Sequence, residues 1–169
     1  MADKLINKVA ESGLISLDLE TFFPNNPILE FDMKNYLFRE LLLKEKEFRT
    51  ELQQQDWSIY KDKIVALHCS TDAILPQWSY MLVVSYLCAH THEIYFGNTE
   101  KVEYLLFIHN IKNMNIESYK DARVVIKGCG TKAIQGDAYI EISKKLQPVV
   151  KSLMFGEACS TVPVYKKKN

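Results

Sequence analysis

Residues 60–74, Tyr-Lys-Asp-Lys-Ile-Val-Ala-Leu-His-Cys-Ser-Thr-Asp-Ala-Ile, return in a second version at 119–134, Tyr-Lys-Asp-Ala-Arg-Val-Val-Ile-Lys-Gly-Cys-Gly-Thr-Lys-Ala-Ile. Each copy opens on Tyr-Lys-Asp, runs through an apolar, β-branched stretch and arrives at Cys-x-Thr. The second carries one extra residue before its cysteine. Helical spacing follows in both, and then a short strand pattern that ends in Phe96-Gly97 or Phe155-Gly156. Strand, long crossover and strand in that order specify a parallel βαβ unit, because parallel neighbours cannot be joined by a tight turn. Residues 60–97 and 119–156 therefore read as two duplicated βαβ halves.

Working outward, strands are expected at 64–68, 93–96, 123–127 and 151–155, and helices at 73–90, 99–114 and 134–150. Two halves placed back to back predict a three-layer α/β fold with a mainly parallel sheet of order 2-1-3-4, in which 64–68 and 123–127 are central neighbours. Leu5, Ile6 and Val9 share one face of a short opening helix that Gly13 terminates. Alternation at 14–20 and again at 29–34 predicts two strands, which the turn chemistry of Pro24-Asn25-Asn26-Pro27 joins as an N-terminal hairpin. A helix is expected at 36–54. Nothing resembles a low-complexity linker, so residues 1–169 read as a single α/β domain.

Lysine and arginine number 21 and aspartate and glutamate 21, so the net charge is zero and no overall positive field collects nucleic acid or an anionic membrane. The most apolar run, 74–89, is broken by Pro76, Gln77 and Ser85 and is too short and polar for a membrane span. The charged N-terminus is unlike a secretory leader, which predicts a cytoplasmic location where the four cysteines stay reduced. Trp78, Tyr80, Met81, Tyr86 and Cys88 are expected in the core. Lys166-Lys167-Lys168 reads as a short basic tail, too small to imply nucleic acid.

The strand order brings Cys69 and Cys129 to the carboxyl ends of the two central strands, the general ligand position of open α/β sheets. A third segment, Cys159-Ser160-Thr161, follows the last strand. Neighbouring strands lie about 4.8 Å apart, so three thiols on one edge can share a ligand. Thiolate selects soft ions, which makes Cys69, Cys129 and Cys159 candidate ligands for zinc, copper(I) or an iron-sulfur cluster. Ser70, Thr71, Gly130, Thr131, Ser160 and Thr161 would supply supporting N–H and hydroxyl groups. Asp72 or Glu157 could fill the fourth position. The same loops admit two other readings: a small anionic-ligand binding module using those donors, or a thiol-dependent enzyme with Cys69 as nucleophile. CxxC, GxGxxG and GxxxxGK[ST] motifs are missing, which ranks both below metal binding and leaves no reaction assigned.

The segments Cys69-Ser70-Thr71-Asp72-Ala73-Ile74, Val125-Ile126-Lys127-Gly128-Cys129 and Phe155-Gly156-Glu157-Ala158-Cys159-Ser160-Thr161-Val162-Pro163 together resemble a bacterial family known only as domain of unknown function 2480. The likeness extends to Asn7-Lys8-Val9-Ala10-Glu11-Ser12-Gly13-Leu14-Ile15 and Leu43-Lys44-Glu45-Lys46-Glu47-Phe48-Arg49, essentially the whole chain. It implies an association with iron-sulfur cluster assembly proteins as partners, and no mechanism.

Overall fold

The computed structural model of the protein describes residues 13–128, 130–157 and 160–168. Their four α-helices and two mostly parallel sheets fall into two compact units, Pro24–Leu106 and Met1–Phe23 with Phe107–Asn169.

In the Pro24–Leu106 unit, β2 (Ile28–Asp32), β3 (Ile64–His68) and β4 (Ile94–Phe96) form a parallel sheet in the order β2-β3-β4. Residues 64–67 of β3 are an unbroken apolar run because both faces of the strand are covered there. Val65 and Leu67 point one way, into a core with Phe31, Phe48 and Leu52 of α1 (Glu45–Gln54), and Val83 and Leu87 of α2 (Gln77–Leu87). Ile64 and Ala66 point the other way, onto Val102 and Leu106 of α3 (Thr99–Asn113). Phe31 stacks on Tyr36 at 5.0 Å and on Trp57 at 5.5 Å, and the Trp57 indole N–H donates to the Leu52 carbonyl at 2.9 Å.

The other unit holds β1 (Leu14–Leu17), β5 (Arg123–Ile126), β6 (Ser152–Glu157) and β7 (Ser160–Lys166) in the order β1-β5-β6-β7, the first three parallel and β7 antiparallel. Ala138, Ile142 and Leu146, four residues apart, form the buried stripe of α4 (Gly136–Leu146). Asp137 in its first turn and Lys144 and Lys145 in its last complement the helix dipole. Phe23 stacks on Phe107 at 4.1 Å.

This corrects the expected 2-1-3-4 sheet: β3 and β5 lie in different sheets and are not neighbours. The side on which each would have met the other is taken by a leading strand, β2 on β3 and β1 on β5. The expected N-terminal hairpin is corrected by the same pairing, since β1 and β2 each run parallel to a partner in a separate sheet. The stretch between them holds a 3-10 turn at Leu19–Phe22 and two prolines, and is too long and too constrained for a tight hairpin loop.

Several boundaries also move. The helix expected at 36–54 is α1 from Glu45 onward; before it the chain turns through Arg39 and Glu40, both at positive φ, and closes a bridge from Phe38 to Leu42. The helix expected from residue 73 begins after Pro76, because the residue before a proline is driven out of the helical region. Strand β7 is one that period-two reading missed, its alternation interrupted at Pro163. Edge position and a register shift opposite Leu153 and Met154 make room for that proline. Met81 and Cys88, expected in the core, are exposed; Cys88 caps the end of α2. The predicted opening helix lies outside the described residues.

Replacing Phe48, which has no exposed surface, with alanine is expected to cost about 3–5 kcal/mol in urea unfolding. Met81→Ala, at a side chain 72% exposed, should stay within about 0.5 kcal/mol of the parent. Equal effects at the two positions would contradict the assignment of the core.

Candidate functional site

Both units open a cleft at the carboxyl edge of their parallel strands, and in both a leading strand sends carboxylates across that edge. In the Pro24–Leu106 unit, Asp32 pairs with His68 in register, and Glu30 sits two residues earlier on the same face of β2. The Asp32 carboxylate accepts the Ser70 N–H at 3.0 Å, the Ser70 hydroxyl at 2.5 Å and the Lys34 N–H at 2.9 Å. Glu30 Oε1 accepts the Thr99 N–H at 2.9 Å and the Thr99 hydroxyl at 2.8 Å. The Nε2 atom of His68 is buried, makes no hydrogen bond, and lies 3.7 Å from Glu30 Oε2.

Electrostatics follow from these bonds. The Thr99 N–H and hydroxyl hold Glu30 below the ordinary carboxylate range. Burial pushes Asp32 up, but the bonds from Ser70 and Lys34 outweigh it and leave the carboxyl lowered. Beyond Ser70 lies a cleft of about 580 Å³ lined by Cys69, Thr71, Tyr80, Phe96, Asn98 and Lys101. Cys69 is partly buried and its Sγ is 3.3 Å from the Thr71 hydroxyl. Tyr80 meets Phe96 edge-on at 5.6 Å, and burial raises the Tyr80 phenol above its ordinary value.

The second unit repeats the device with different residues. Asp18 accepts the Glu20 N–H at 3.0 Å and pairs with Lys127 at 3.2 Å. Glu20 reaches the loop after β5, accepting the Thr131 hydroxyl at 3.2 Å and the Lys132 N–H. Its carboxylate lies so close to Gly130 that a Cβ there would strike it. A cavity of about 280 Å³ is lined by Asp18, Glu20, Lys127, Gly130, Lys132 and Tyr139. Tyr139 meets Phe155 edge-on at 5.7 Å, as Tyr80 meets Phe96.

The predicted site residues divide accordingly. Cys69, Ser70 and Thr71 follow β3 in one unit, and Gly130 and Thr131 follow β5 in the other. Ser160 and Thr161 are corrected from a strand-end loop to the start of β7, where they pair with Glu157 and Gly156 in the ladder to β6. Cys129 and Cys159 lie outside the described residues. Among the described residues no three His, Cys, Asp or Glu side chains are grouped to hold a metal ion. Sequence reading missed the four carboxylates Asp18, Glu20, Glu30 and Asp32, treating them as the polar side of alternating strands. Their signal was position: Asp32 ends β2 with Glu30 two residues before it, and Asp18 and Glu20 lie just past the end of β1.

A family model described as "Protein of unknown function (DUF2480)" matches residues 3–167. The chain belongs to this family. Comparison of this DUF2480 protein with curated proteins and with solved structures finds no match. No helix among its described residues is long and apolar enough to cross a membrane.

Because their folded-state values are depressed, Glu30 and Asp32 contribute stability that is present above their unfolded values near 4 and lost as pH falls through the depressed ones. The gap in melting temperature between the parent and a Glu30→Gln/Asp32→Asn variant should therefore be full at neutral pH and shrink steadily below about pH 4. A gap that is unchanged down to about pH 2 would contradict the assignment.

Proposed function

We propose that this DUF2480 chain binds a soft metal ion or an iron-sulfur cluster through thiolates at the carboxyl edge of the β1-β5-β6-β7 sheet, with Cys129 and Cys159 as the principal ligands. One observation carries the reading. β5 and β6 are parallel neighbours with Ile126 opposite Phe155, and Cys129 and Cys159 come three and four residues after that pair in the chain. Two segments that leave adjacent strands about 4.8 Å apart start close enough for their thiols to share one ion at about 2.3 Å from each sulfur. Glu157, exposed at the end of β6, adds a carboxylate in the same stretch.

Cys69, the third thiol of the original set, follows a strand of the other sheet and carries no part of this argument. The repeated Tyr-Lys-Asp turns support a duplicated origin of the two units: Asp62 and Asp121 both adopt positive φ, at 57° and 54°, and Gly97 and Gly156 do so at the ends of the matching strands. An anion-binding role is weakened at two of its proposed donors, since the Ser70 N–H and hydroxyl are engaged by Asp32 and the Thr131 hydroxyl by Glu20. The thiol-enzyme reading needs a helix N-terminus beside Cys69, whereas α2 starts at Gln77, and the neighbouring His68 ring is turned toward Glu30.

Protein purified without oxygen should carry about one equivalent of zinc or copper, or iron with acid-labile sulfide. Cys129→Ser and Cys159→Ser should each remove most of it, while Cys88→Ser and Cys69→Ser leave it in place. A parent protein free of metal and sulfide, or full retention by the Cys129→Ser/Cys159→Ser variant, would overturn the proposal.

A further inference from the structure

The zero net charge conceals a segregation. The Pro24–Leu106 unit has eight lysines and arginines against twelve aspartates and glutamates, and the other unit has thirteen against nine. Six of those thirteen, Lys120, Arg123, Lys151, Lys166, Lys167 and Lys168, collect at the edge formed by the amino ends of β5 and β6 and the carboxyl end of antiparallel β7, and all six are exposed. The ladder enforces the clustering. Arg123 and Lys166 both stand opposite Ser152, the Lys167 N–H donates to the Lys151 carbonyl at 3.0 Å, and the Lys151 N–H donates to the Ala122 carbonyl at 2.7 Å. Two acids, Glu117 and Asp121, stand among these cations, and Lys167 pairs with Asp121 at 3.3 Å. Among the described residues Lys120, Lys151, Lys166 and Lys168 form no ion pair.

The same edge opens a groove of about 400 Å³, with Ile116, Pro148 and Val149 as its apolar lining and Lys120 and Lys167 on its rim. We propose that this groove docks an acidic segment of a partner protein that seats one aliphatic side chain against Ile116, Pro148 and Val149. Charge complementarity selects an acidic partner, and the aliphatic lining selects a protein. A phosphate polymer would meet Glu117 and Asp121 on the rim and no aromatic platform in the lining, whereas discrete carboxylates can be spaced around those two acids. The groove lies at the amino ends of β5 and β6, whereas the metal proposal concerns the segments that follow their carboxyl ends, so either can fail without the other.

The test uses the full chain and fluorescence anisotropy with three labelled probes: a Glu/Asp peptide carrying one central leucine, the same peptide with serine in its place, and a single-stranded oligonucleotide of equal charge. The leucine peptide should bind about tenfold more tightly than the serine peptide, from the loss of one buried aliphatic group. Lys120→Glu/Lys167→Glu should weaken it by at least about tenfold, and binding should fall as salt rises from about 50 to about 300 mM. Circular dichroism of that variant, whose changes are confined to exposed side chains, verifies that it remains folded. Tighter binding of the oligonucleotide, equal binding of the two peptides, unchanged affinity in the folded variant, or no peptide binding would each overturn the proposal.

Discussion

Strands β3 and β5 are apolar runs whose backbone groups need a hydrogen-bonded neighbour on each side, and the whole arrangement depends on where those neighbours come from. One neighbour of each is the strand reached by its own crossover, β4 or β6. The other is a leading strand from the N-terminal part of the chain, β2 or β1, laid down parallel. Once those places are taken, the two apolar strands have no free side on which to meet. Two sheets follow from this, one in each unit.

Parallel pairing also sets the chemistry of the edges. Because β1 and β2 run the same way as the strands they flank, their carboxyl ends arrive beside the loops after β5 and β3. Those loops expose backbone N–H groups that need acceptors, and Glu20 and Asp32 satisfy them. These carboxylates also tie the leading strands to the loops that follow the central ones. Cys69 lies one residue before Ser70, the anchored member of its loop, so its neighbourhood is held by Asp32 from outside the loop itself.

Much of this could be read from local pattern. The βαβ character of residues 60–97 and 119–156 appears as β3-α2-β4 and β5-α4-β6, because periodicity and the two Tyr-Lys-Asp turns are properties of short segments. The sheet order could not be read that way, since pairing β1 with β5 joins residues more than a hundred positions apart and leaves no local trace. β7 escaped because Pro163 spoils its alternation and only the edge position tolerates it. Among site residues, the Cys-x-Thr loops were legible as repeated words. The carboxylates that hold those loops were not, because Asp and Glu on the polar side of a strand look the same whether they face water or a neighbouring loop. Charge told a similar story: the total was uninformative until the fold divided it between two units.

The metal-binding proposal requires that the chain leaving β5 and the chain leaving β6 bring Cys129 and Cys159 within reach of one another. A protein reduced to those two cysteines, with Cys69 and Cys88 replaced by serine, provides the direct measurement. After brief treatment with diamide, which takes up the two electrons released as the thiols join, digestion and mass spectrometry read out the cross-link. Rapid, concentration-independent formation of an intramolecular Cys129–Cys159 disulfide is expected under folding conditions, since bridging needs Cα atoms within about 7 Å. Free thiols, or cross-links formed only between molecules, would contradict it.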